Sequence, residues 1–167
     1  MTTDLEALGQ AIKRAQYRNH RTMDAALSDV GVSLVQWDAL RAIDRMPGAS
    51  GHDLAVATFQ SDQAFGTLAT RLVERDLIVR SAGRGRRLVH TLTDTGRAAL
   101  DGGHEIAAEV LQDLFAPLHE AQRGALMEAL AVLTAQETVI ATSPATPARE
   151  SSTTTNGSMP IRVARTV

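Results

Sequence analysis

From residue 4 to residue 29 the apolar positions Leu5, Leu8, Ile12, Ala15, Met23 and Leu27 largely keep the three-and-four spacing of one helical face, with Arg14, Arg18 and Arg21 on the other side. Gly31 predicts the stop, because glycine just beyond a helix readily turns left-handed. "SLVQ" (33–36) has the spacing of a capping box, Ser33 facing Gln36 at the third helical position. It opens a second helix whose core face is Trp37, Leu40 and Ile43, ended by "MPG" (46–48). Ser50, with Asp53 three residues on, starts a short third helix carrying Leu54, Ala55 and Phe59 as apolar positions. Ser61 caps a fourth, in which Phe65, Leu68 and Leu72 form the buried stripe.

The other side of that fourth helix is unusual. Asp62, Gln63, Gly66, Thr67, Thr70 and Arg71 are small or polar, where a solvated helix more often carries Glu and Lys. Its outer face is therefore low and capable of hydrogen bonding.

After Asp76 the period changes from helical to alternating. "LIVRS" (77–81) and "LVHTL" (88–92) read as short strands around the glycine-bearing "AGRGRR" (82–87), a β-hairpin. Thr93 or Asp94 then starts a long helix to about Ala116, with Leu100, Ala107, Leu111, Leu114 and Phe115 apolar. Gly102 and Gly103 inside it cost about 1 kcal/mol each relative to alanine, which predicts a local bend or a close packing contact. Pro117 interrupts, and a last helix over 121–140 places Leu126, Leu130 and Leu133 in register. From Ser143 the chain loses periodicity and turns to Pro, Ser and Thr, the composition of a disordered tail over 143–167.

Composition narrows the function classes. At 167 residues rich in Ala, Leu and Val, with 3% aromatics, the chain fits one mainly helical domain over 1–142. No run of about 18 apolar residues is present to cross a membrane. "MTTDLEALGQ" lacks the basic-then-apolar order of a secretory signal, so a cytoplasmic protein is expected. Absence of cysteine removes disulfides, thiolate metal sites and cysteine nucleophiles together. His20, His52, His90, His104 and His119 include no pair at ligand spacing, so neither metal nor cofactor is expected. "GRGRRL" (83–88) lacks the third glycine and the strand-to-helix setting of a nucleotide fingerprint. No Ser–His–Asp pattern or carboxylate pair stands out, and enzyme activity is not expected.

Charge is distributed unevenly around a net value of −2. Arg80, Arg84, Arg86, Arg87 and Arg97 face one acid, Asp94, over 80–97, whereas seven acids face Arg123 over 98–137. A local basic stripe can mark a polyanion footprint whatever the net charge.

Helix-turn-helix followed by a hairpin is a winged helix, so the fold class is mainly α with a small β-hairpin wing. In that module the second helix of the pair enters the DNA major groove and the wing follows the backbone or a minor groove. Ser61, Gln63, Thr67, Thr70 and Arg71 are then the candidate groove contacts. Arg84, Arg86 and Arg87 are candidates for phosphate or minor-groove contact.

"SLVQWDALRAIDRMPG" (33–48), "DLAVATFQSDQAFGTLATRLVERDLIVR" (53–80) and "LTDTGRAAL" (92–100), in this order, resemble the MarR family of bacterial transcription regulators. The resemblance covers about residues 5–140. It implies a homodimer held by helices at about 4–29 and 93–140, with a DNA-binding part at about 33–92 presented to a pseudo-palindromic operator. It also implies a repressor released by a small phenolic or amphipathic ligand, acting in the bacterial cytoplasm on the nucleoid. Tyr17, Trp37 and Phe115 are the aromatic candidates for lining a pocket for that ligand. Two positions depart from the family pattern: Arg84 stands where the wing usually has an acid, and Asp76 where glycine usually follows the recognition helix. The alternative is a helical protein-interaction module that uses the winged helix without DNA, favoured by the acidic 98–137 segment.

Overall fold

The computed structural model describes residues 4–83 and 88–135. Arg84, Arg86 and Arg87, the end of the last predicted helix, and the 143–167 tail lie outside the described residues. The elements are α1 (Leu5–Leu27), a 3-10 turn (Ser28–Val30), α2 (Leu34–Arg45), α3 (Gly51–Ala57), α4 (Asp62–Glu74), β1 (Ile78–Ala82), β2 (Leu88–Leu92), α5 (Asp94–Phe115) and α6 (Glu120–Ala135). The chain divides into two compact units, one ending at His119 and one beginning at Glu120.

Side-chain caps set the helix starts. Ser33 accepts from the Gln36 backbone N–H at 3.3 Å while the Gln36 side chain accepts from the Ser33 N–H at 3.0 Å. Ser50 and Asp53 make the same reciprocal pair at 3.1 and 2.9 Å. Ser61 caps α4 through the Ala64 N–H at 3.2 Å, and Thr93 caps α5 through the Gly96 N–H at 2.9 Å. Each cap satisfies a donor that the first helical turn leaves without a partner. Gly31 at φ 75° and Asp76 at φ 54° are left-handed, as are Gly48 and Phe59. Aspartate enters that region more easily than most residues, so Asp76 substitutes for glycine there.

In the first unit, Leu27, Leu40, Leu54, Phe65, Leu72, Ile78 and Leu100 are fully buried and join α1–α5 and the hairpin in one core. β1 pairs with β2 antiparallel, Ile78 opposite Leu92 and Arg80 opposite His90. The "LTDTGR" segment seals the junction of hairpin and α5. The Thr93 hydroxyl donates to the Asp76 carbonyl at 2.6 Å, and the absent side chain of Gly96 admits the Leu77 carbonyl. Arg97 pairs with Asp44 of α2 at 2.6 Å.

The Gly102–Gly103 pair resolves as close packing. A Cβ at Gly103 would overlap the Trp37 indole, and one at Gly102 would stand 3.0 Å from Val30 Cγ1. Phe59 departs from expectation. It is 91% exposed at φ 55°, because α3 ends at Ala57 and its period does not reach residue 59. The N-terminal part of α1 departs too: only Met23 and Leu27 of that helix are buried, and Leu5, Leu8 and Ile12 are exposed.

In the second unit α6 has no buried residue, and Leu126, Leu130 and Leu133 are exposed at helical spacing.

Candidate nucleic-acid interface

The apolar stripe of α4 decides which side faces out. Phe65, Leu68, Ala69 and Leu72 are buried, which leaves Ser61, Gln63, Gly66, Thr67, Thr70 and Arg71 on the exposed side. Gln63, Thr67 and Arg71 line one open hollow with Gln60 and with Val35 of α2. The sequence candidates are thus brought together there, except Thr70, which turns toward the hairpin. The Ser61 oxygen accepts from the Ala64 N–H in its cap, which leaves its hydroxyl able to donate. The threonine hydroxyls donate back along the helix, Thr67 to the Gln63 carbonyl and Thr70 to the Gly66 carbonyl, each at 3.0 Å.

Two arginines tie this helix to its neighbours. Arg80 of β1 donates through Nη2 to the Gly66 carbonyl and to the Thr70 hydroxyl, both at 3.2 Å. Arg75, at the C-terminal end of α4, donates to Gln36 Oε1 at 2.8 Å and to the Gly31 carbonyl. The charge count along the sequence includes Arg80 but does not reveal this role. The available signal is strand alternation, which puts residue 80 on the same face as buried Ile78.

A second hollow lies under the hairpin, with Ser50, Asp62, Phe65, Gly66, Arg80 and His90 on its wall. Arg80 Nε and His90 Nδ1 are both buried and without a hydrogen-bond partner. The His90 ring meets Phe65 edge-on at 5.8 Å. Burial, and secondarily the Arg80 charge, push the His90 imidazole below its usual pKa. At the rim, His52 Nδ1 stands 2.9 Å from Asp62 Oδ1. That hydrogen bond, reinforced by the carboxylate charge, raises the His52 pKa.

The three aromatic candidates occupy three different settings. Tyr17 is exposed beside Arg18, Arg21 and Thr22 along α1. Trp37 is buried, its indole N–H donating to the Leu100 carbonyl at 3.2 Å, with Arg41 4.8 Å over the ring. Phe115 is half-buried near the end of α5. Among the described residues no group of three His, Cys, Asp or Glu residues could hold a metal ion, and no helix is long and apolar enough to cross a membrane.

The chain has recognisable relatives. The MarR family profile matches residues 30–88. The HTH-type transcriptional repressor Rv2887 of Mycobacterium tuberculosis is 34% identical over 101 residues, covering 57% of this chain and 73% of the relative. The structure of that MarR family protein in complex with p-aminosalicylic acid superposes with a TM-score of 0.63 at 28% identity, over 76% of this chain and 98% of the other. BpsR of Bordetella bronchiseptica, whose DNA binding is regulated by 6-hydroxynicotinic acid, gives a TM-score of 0.70 at 26% identity, over 80% and 98% of the two chains. The transcriptional repressor CouR bound to a 23-mer DNA duplex gives 0.70 at 26% identity, over 80% and 99%. With the winged helix in place and nearly three quarters of a named repressor matched in sequence, the chain belongs to the MarR family.

Proposed function

We propose that this protein is a dimeric DNA-binding transcription regulator, a repressor whose grip on its operator a small ligand releases. One observation carries the reading. The side of α4 opposite its buried stripe gathers Gln63, Thr67 and Arg71, and Arg75 and Arg80 brace the helix against the rest of the fold. A rigid helix with a low polar face is what entry into a major groove requires. The DNA-binding part is residues 33–92, with Ser61, Gln63, Thr67, Thr70 and Arg71 in the groove and Arg84, Arg86 and Arg87 on the flanking backbone or minor groove.

The exposed stripes Leu5–Leu8–Ile12 of α1 and Leu126–Leu130–Leu133 of α6 support a dimer, since apolar rows of this kind are normally covered. Two recognition helices then meet half-sites about one helical turn apart. The hollow under the hairpin supports ligand control. It is lined by Arg80 and His90, side chains that can hydrogen-bond a carboxylate or phenol oxygen, and it touches both Gly66 of α4 and Arg80 of β1. A ligand there favours a dimer whose helices no longer match the half-site spacing, a shift of population between two shapes.

The test is a mobility shift on the duplex upstream of the protein's own gene, repeated across a salt series. A specific complex that weakens steeply with salt supports the reading. Absence of a salt-sensitive shift on every candidate duplex would favour the protein-interaction module instead.

A further inference from the structure

Gly66 sits at the centre of the exposed face of α4, flanked at helical spacing by Gln63, Thr67 and Thr70. Nothing inside the fold asks for a glycine at this position. Its backbone is helical, and apart from its chain neighbours and the backbone of its own helix no atom lies within 4 Å of where a Cβ would be. Alanine would serve the helix better, since glycine is the poorest helix former after proline. The missing side chain therefore leaves a notch, at the edge of the hollow that Arg80 and His90 also line, that is open to a partner.

The threonines on either side determine what the notch can accept. The Thr70 hydroxyl gives its proton to the Gly66 carbonyl and accepts from Arg80, so it has no proton left for a base. The Thr67 hydroxyl has also given up its proton, to the Gln63 carbonyl, and can meet a base only as an acceptor. Around Gly66 the helix thus offers methyl surface and no free threonine donor. In the major groove one base carries an apolar group, thymine with its C5-methyl, whereas the acceptors of guanine call for donors. Gln63 at the rim has the carboxamide that pairs bidentately with an adenine edge.

We infer that the notch at Gly66, on the same exposed side of α4 as Gln63, Thr67 and Thr70, receives the C5-methyl of a thymine in each operator half-site. This makes Gly66 a specificity-determining residue, and it rests on the reading of α4 as the groove-entering helix. Gln63 then reads an adenine beside that thymine.

The experiment selects a preferred duplex from a random library with the full-length protein, then replaces each dT singly by dU, which removes only the methyl group. One position per half-site is expected to weaken binding about fourfold, the value of one buried methyl-sized group. Gly66→Ala is expected to fold with an unchanged or higher Tm, to lose about tenfold in affinity, and to ignore dT-to-dU replacement at that position. Recovery of no preferred sequence removes this inference and the regulator reading together. A preferred sequence on which no dU substitution matters, or which Gly66→Ala binds as tightly as the native protein, overturns the notch alone.

Discussion

The Trp37 ring of α2 occupies the space that any side chain at Gly103 of α5 would need. The two helices approach over that glycine, and the Trp37 indole N–H reaches the Leu100 carbonyl at 3.2 Å. Gly103→Ala therefore adds a methyl group to a filled contact. Overpacking of this kind costs about 1–3 kcal/mol, against about 1 kcal/mol returned by helix propensity. The expected net result is a loss of up to about 2 kcal/mol, read as a lower urea midpoint with altered tryptophan fluorescence. At Gly66, where the space is open, the same substitution returns only the propensity gain of about 1 kcal/mol. Opposite signs at two glycines in helices of one chain would separate packing from propensity.

The exposed row on α1 predicts the response of the dimer. Leu8→Glu with Ile12→Glu puts two carboxylates where apolar surface expects cover, at positions 47% and 44% exposed in the single chain. Dimer affinity is expected to fall on the order of a hundredfold, measured by sedimentation. Operator affinity should fall with it, while thermal unfolding of the DNA-binding part stays close to native.

Arg84→Ala with Arg86→Ala is expected to weaken binding to operator and unrelated duplexes alike. The slope of log affinity against log salt should flatten by about one for each phosphate contact removed. Gln63→Ala should instead relax sequence preference and leave that slope nearly unchanged. Equal affinity of the double arginine variant at every salt concentration would remove the wing from the interface.

Two histidines give the protein opposite pH responses. Burial holds the His90 imidazole below its usual pKa, so between the two values the unfolded chain binds more protons. Stability linked to His90 is therefore complete above about pH 6.5 and is lost as pH falls toward the lowered folded value. His52 runs the other way, since its hydrogen bond to Asp62 raises the folded pKa. Its contribution is complete below about pH 6.5 and disappears as pH rises through the raised value. Imidazole titrations by NMR should find His52 above and His90 below the ordinary midpoint. Asp62→Asn is expected to bring His52 back toward it, and His90→Gln to remove the His90 part of the acid-side loss.

What the sequence made legible was mostly local. Ser33, Ser50, Ser61 and Thr93 announce helix starts because a cap is a contact between residues three apart. The outer face of α4 was readable because its stripe of Phe65, Leu68 and Leu72 leaves one side over. Contacts between distant positions were not readable. Arg80 on Thr70, Arg75 on Gly31 and Arg97 on Asp44 join long side chains to partners that no periodicity identifies. Phe59 misled because an aromatic residue near a helical period looks like core, although the helix had already ended at Ala57.

Arg75 has a mechanical consequence. Its guanidinium joins the end of α4 to the Gly31 carbonyl, at the bend where the chain leaves α1 and its 3-10 turn, and to Gln36 in the first turn of α2. The segment that follows the long first helix and the end of α4 are thus joined at one side chain. A change in the tilt of α1 is therefore expected to reach α4 through residue 75, and Arg75→Ala to uncouple the two.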